Sequence, residues 1–137
     1  MKYILDTNVV SALMRGDAAV VERLRLAAKE DVAVPHPVFA EIAYGIGRLP
    51  RSARKQRLLA RFRLVREEIG RVPWSDEVSQ QFGAVKAALE RRGERIEDFD
   101  VAIAAHALAH GGTLVTANQK HMSRVDDLAV EDWGAGT

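Results

Sequence analysis

Short apolar runs separated by longer stretches of helical periodicity constrain this 137-residue chain more than any other feature. Runs at Lys2–Leu5, Val32–Val34, Val72–Trp74, Thr113–Thr116 and Leu128–Val130 have the length and content of strands. The intervening segments predict helices over Val9–Arg15, Ala18–Lys29, Pro37–Gly47, Arg51–Ile69, Asp76–Arg92 and Asp98–His110. Pro35 and Pro37 mark one helix start, and the His110-Gly111-Gly112 sequence marks one stop. Alternation of this kind predicts an α/β fold of three layers, with a mostly parallel sheet of four to five strands between helices. Ligands in such folds bind beyond the carboxyl ends of the strands.

Composition narrows the function classes. A hydrophobic content of 47% supports a real core, and the length suits one domain, read here as residues 1–133 with a short tail at 134–137. There is no run of eighteen apolar residues, and no basic stretch followed by an apolar segment opens the chain, so a cytoplasmic protein without membrane contact is expected. Cysteine is absent, which excludes disulfides and thiolate metal sites and leaves only oxygen or imidazole to hold a metal.

Within this pattern three acids stand out because their surroundings are apolar. Asp6 ends the first predicted strand, in Tyr3-Ile4-Leu5-Asp6-Thr7-Asn8, where it can either cap the following helix or face a ligand. Glu41 is the only charge between His36 and Arg48, on a helix apolar around nearly its whole circumference. A carboxylate in that setting costs several kcal/mol unless it pairs with a cation, either an arginine or a metal. Asp98 reads as an N-cap, and Asp100 as the last charge before the wholly apolar Val101–Ala105. The helix dipole accounts for Asp98 and less well for Asp100, whose helix neighbours Ile103 and Ala104 face the core.

If Asp6, Glu41 and Asp100 converge at one sheet edge, their repulsion calls for a cation, and an all-oxygen cluster selects Mg²⁺ or Mn²⁺. Such an ion can activate water and stabilise charge on a phosphate oxygen, which is the chemistry of phosphodiester hydrolysis. A phosphatase that forms an aspartyl-phosphate at the first strand needs a general acid two residues later. Asn8 stands there and cannot donate a proton at neutral pH. No glycine-rich segment leading into Gly-Lys-Ser/Thr is present, so P-loop chemistry is absent. Among the histidines, His106 reads as a core residue and His110 as a partner for the helix C-terminus, while His36 and His121 lie near strand ends without an assigned role.

The charge distribution adds one further feature. Eight basic residues and no acid fall between Arg48 and Arg66, which leaves twelve bases against nineteen acids elsewhere. A run of this kind is either a solvated helix face or a contact for a polyanion. Along it, Leu58, Phe62, Val65 and Ile69 form an apolar seam, flanked by Arg54, Arg57 and Arg61 on one side and Lys55 and Arg66 on the other.

The segments YILDTNVVSALMRG, VFAEIAYGI, DFDVAIAAHALAHGGTLVTAN and LAVEDW, in this order, resemble a PIN domain of the toxin type, the ribonuclease component of VapBC toxin–antitoxin pairs. The resemblance runs from Lys2 to Trp133. It implies an endoribonuclease dependent on Mg²⁺ or Mn²⁺, forming a homodimer and neutralised by a VapB-like antitoxin. The family's metal-binding acids match Asp6, Glu41 and Asp100, and a fourth position, often aspartate, falls on Asn118, which offers a carbonyl oxygen but no charge. Asn8 and Thr116 are then expected to orient the carboxylates. The resemblance also places the basic segment in helices beside the active site, so the seam is expected to meet another chain, with Arg54, Lys55, Arg57 and Arg61 available to RNA phosphates or to a partner. Two other readings remain: a solitary nuclease of RNA processing, and a non-catalytic scaffold whose acids receive a basic segment of a partner.

Overall fold

A computed structural model describes residues 1–134. Beyond Gly134, the expected tail lies outside the described residues. The chain runs β1 (Tyr3–Leu5), α1 (Thr7–Arg15), α2 (Ala18–Leu26), a 3₁₀ turn (Lys29–Asp31), β2 (Val32–Pro35), α3 (His36–Gly47) and α4 (Ala53–Glu68). It continues through β3 (Gly70–Val72), α5 (Asp76–Arg91), α6 (Asp98–Ala109), β4 (Thr113–Val115), α7 (Gln119–Met122) and β5 (Val130–Glu131).

The five strands form one sheet in the order β3-β2-β1-β4-β5, and every neighbouring pair is parallel. The chain moves outward from β1 to β2 and β3, then returns to the other side of β1 for β4 and β5. Right-handed crossovers put the helices of the two halves on opposite faces of the sheet. Accordingly α1 packs with α3 and α4, and α5 packs against α6. The order reverses between β1 and β4, and it is at such a reversal that the strand ends part to leave a crevice.

The core is what the apolar runs require. Ile4, Leu5, Val34, Leu114 and Val115 of the sheet are fully buried, as are Val38 of α3 and Ile103 of α6. Each such side chain contributes roughly 1.5–3 kcal/mol of transfer free energy. Residues Val101 to Ala107 of α6 are buried without interruption, so this helix is enclosed by protein around most of its circumference. Gly112 enters β4 where a Cβ would lie 3.2 Å from the Ile4 side chain and 3.3 Å from the Met1 carbonyl, so a larger residue would crowd the α6–β4 turn against β1.

Several expectations are corrected locally. The third strand is Gly70–Val72 and not Val72–Trp74, since Pro73 has no N–H for the ladder and leaves Trp74 outside the sheet, about half exposed. Helix α1 begins at Thr7 instead of Val9, because Asp6 caps it. Glu97, not Asp98, occupies the N-cap position of α6, and Asp98 pairs with Lys86 at 3.1 Å. A single turn, α7, follows Asn118 where no helix was expected. The seam on α4 also differs: Phe62 is buried with its ring centre 5.9 Å from Phe39, and Leu58, Val65 and Ile69 pack on the same core. The apolar side of α4 therefore meets its own chain.

Candidate active site

Asp6 stands at the end of β1, where the strand passes into α1, beside the reversal in strand order. Its backbone N–H donates to the Val115 carbonyl at 2.9 Å, which extends the β1–β4 pairing to the acid itself. The side chain is 2% exposed, and both carboxylate oxygens accept hydrogen bonds. Oδ1 takes the Thr7 backbone N–H at 2.7 Å, the capping bond of α1. Oδ2 takes the Thr116 hydroxyl at 2.7 Å and the Asn8 amide at 3.3 Å. Burial nonetheless raises the Asp6 pKa, because desolvation outweighs the three donors that favour the anion.

Thr116, just past β4, is fully buried and uses the whole capacity of its hydroxyl. While donating to Asp6, it accepts the Asn118 backbone N–H at 2.9 Å and the Asn8 side-chain amide at 3.3 Å. Asn8 also accepts the Ala117 N–H at 2.9 Å, so α1 and the loop after β4 are joined directly over the strand ends. Asn118 is half-buried at the start of α7.

Glu41 lies on α3 and is half-buried. Its Oε1 accepts the Thr7 hydroxyl at 2.5 Å. Thr7 was not singled out from the sequence, yet it touches two of the three acids, through its backbone N–H to Asp6 and its hydroxyl to Glu41. A hydroxyl at a first helical position carries no signal in isolation. Only the packing of α1 on α3 gives it a partner.

Asp100 lies in the first turn of α6 and is half-buried. Its pKa is pushed up to about 6, first by burial and then by the charges of Asp6, Glu41 and Glu97. Asp100 is thus close enough to Asp6 and Glu41 to feel both charges. None takes part in an ion pair among the described residues, which removes the arginine partner considered for Glu41. Among those residues no group of three histidine or acidic side chains stands close enough together to hold an ion in this arrangement. The donors are all oxygen and carry a net negative charge, and this chemistry fits a hard divalent cation.

The histidines stand apart from this cluster. His106 is fully buried, with Nδ1 bonded to the Ala102 carbonyl at 2.7 Å and its ring edge-on to Trp74 at 5.4 Å. Burial lowers its pKa, so it is a neutral core side chain. His36, His110 and His121 are exposed.

The basic segment divides by role. Lys55 Nζ donates to the carbonyls of Gly47 and Leu49, at 3.4 and 3.2 Å, closing the end of α3. Arg61 donates to the Met14 carbonyl at 2.8 Å and ties α4 to the far end of α1. Arg54 and Arg57 are exposed on α4. No helix among the described residues is long and apolar enough to cross a membrane.

Known proteins resemble this chain in sequence and in fold. The chain is 35% identical to a ribonuclease VapC2 of Rickettsia felis, over 97% of this chain and 98% of that protein. It is 29% identical to a tRNA(fMet)-specific endonuclease VapC of Shigella flexneri, again over 97% and 98%. A crystal structure of VapBC2 from Rickettsia felis, bound to a DNA fragment from the promoter, superposes with a TM-score of 0.88 at 29% identity, covering 97% of this chain and 99% of that one. The family model for the PIN domain matches residues 3–128, and the chain, with its parallel sheet between helices, belongs to the PIN-domain family.

Proposed function

We propose that this chain is a metal-dependent endoribonuclease, the toxin of a toxin–antitoxin pair, which hydrolyses RNA phosphodiester bonds and is neutralised by a VapB-like antitoxin. One observation carries the catalytic part of the reading. Asp100 is held up to about 6 by burial and by the charges of Asp6 and Glu41, and among the described residues no ion pair relieves these acids. A site that retains such repulsion trades stability for the capacity to bind a cation. The relatives named VapC, and the VapBC complexes among the similar structures, support the toxin role and the antitoxin partner.

Asp6, Glu41 and Asp100 would hold Mg²⁺ or Mn²⁺, with the Asn118 carbonyl oxygen as a neutral fourth donor. When bound, the ion would supply an activated water and offset the charge that develops on the phosphate. Asp6 serves as the fixed ligand, since Thr7, Asn8 and Thr116 leave its carboxylate little freedom. Asp100 must lose its proton to bind the ion. At neutral pH, above its pKa of about 6, that condition is met. Arg54 and Arg57 are among the exposed cations on α4 available to RNA phosphates, which they would grip without reading bases. The protein acts in the cytoplasm as a homodimer, each subunit one domain over residues 1–133.

The test is cleavage of bulk RNA by the purified chain in Mg²⁺ or Mn²⁺, repeated with chelator and with Asp6→Asn. Cleavage that requires the ion and is lost in the variant is the expected result. Equal cleavage with chelator, or full activity in Asp6→Asn, would refute the reading.

A further inference from the structure

The three acids are not equally held, and the difference points to a residue outside the acid set. Asp6 receives three donors from the protein. The carboxylate of Glu41 receives the Thr7 hydroxyl, across 34 positions of sequence. Glu41 sits on α3 and Thr7 at the first turn of α1, so this contact joins two helices that approach the strand ends from different strands.

We infer that Thr7 is the positioning residue for Glu41, and that its hydroxyl sets how tightly the acid site takes a divalent cation. The inference rests on the metal-dependent reading above and deepens it. A free glutamate side chain has rotamer entropy to lose on being fixed. Thr7 removes part of that cost before an ion arrives, because its β-branched side chain is restricted at χ1 and its backbone N–H is already bound to Asp6. One oxygen of Glu41 is then occupied by Thr7, and the other is left for the ion. Since the same residue donates to Asp6 and to Glu41, the relative placement of these two acids is a property of Thr7 and not of either helix alone.

Valine at this position keeps the shape and the backbone bond to Asp6 and removes only the hydroxyl. Serine keeps the hydroxyl. Thr7→Val is expected to weaken Mn²⁺ binding, measured calorimetrically without RNA, by about 10–100-fold, the usual effect of deleting a residue that orients a metal ligand. Thr7→Ser is expected to stay within about threefold of the wild type, and to recover kcat as well, while KM for RNA is the same in all three proteins. Melting of the metal-free proteins controls for folding. Wild-type affinity in Thr7→Val, or a Thr7→Ser variant as weak as Thr7→Val with an intact melt, overturns the role of Thr7. Failure of the wild type itself to bind Mn²⁺ or Mg²⁺ would instead overturn the metal-dependent function, so the two failures are distinguishable.

Discussion

The Thr116 hydroxyl donates to Asp6 Oδ2 at 2.7 Å, joining the ends of two neighbouring strands that lie 110 positions apart in the chain. Asp6 and Thr116 are both buried, so this bond works where water does not compete. Its removal by Thr116→Val leaves Asp6 with a weaker donor set and strands the Asn118 N–H that now binds the hydroxyl. A loss of about 1–3 kcal/mol is expected in denaturant unfolding of the metal-free protein at neutral pH. Thr116→Ser should restore most of it. Unchanged stability in the valine variant would show that Asp6 draws its support elsewhere.

Asp100 predicts a variant more stable than the wild type. Its pKa in the folded protein, about 6, lies above the ordinary 3.8, so the fold favours the protonated form. The stability from this preference is complete below pH 3.8 and is lost as pH rises through about 6. Asp100→Asn does not titrate. In chelator its melting point should match the wild type near pH 4 and exceed it by a few degrees at pH 7.5, because only there does the wild type carry a half-buried charge beside Asp6 and Glu41. A difference of equal size at both pH values would mean that charge is not its cause.

The same group controls cation binding. Protonated Asp100 offers no anionic oxygen, so Mn²⁺ affinity is expected to hold above neutral pH and to fall as pH drops below about 6, by roughly tenfold per unit at the lower end. Calorimetry in buffers of different ionisation enthalpy would report the proton released on binding near pH 6. Affinity that stayed flat to pH 5 would exclude Asp100 from the ligand set.

Helix α4 separates into a face that folds and a face that is free. Phe62 is buried against Phe39, and Phe62→Asp should cost at least about 3 kcal/mol and unfold much of the protein at moderate temperature. Arg54→Glu with Arg57→Glu, both exposed, should leave melting and Mn²⁺ binding unchanged while weakening RNA binding and flattening its dependence on salt. If the double variant kept the wild-type salt slope, these arginines would form an ordinary solvated face.

The layered fold was legible because strand and helix periodicities are local, and alternation of short apolar runs with helices admits few other architectures. Asp6, Glu41 and Asp100 were legible for a related reason. A charge within apolar sequence is conspicuous before anything is known of its neighbours. Several features could not be read this way. The apolar seam of α4 has the same spacing whether it covers its own core or another chain, and only the packing of Phe62 on Phe39 decides between them. Lys55 and Arg61 are indistinguishable in sequence from Arg54 and Arg57 until the carbonyls at the ends of α3 and α1 are brought within reach. Thr7 is the clearest case. A neutral hydroxyl on a helix gains a function only from what stands opposite it, and Glu41, 34 residues away, reaches it only because β1 and β2 pair in parallel and deliver α1 and α3 to the same edge of the sheet.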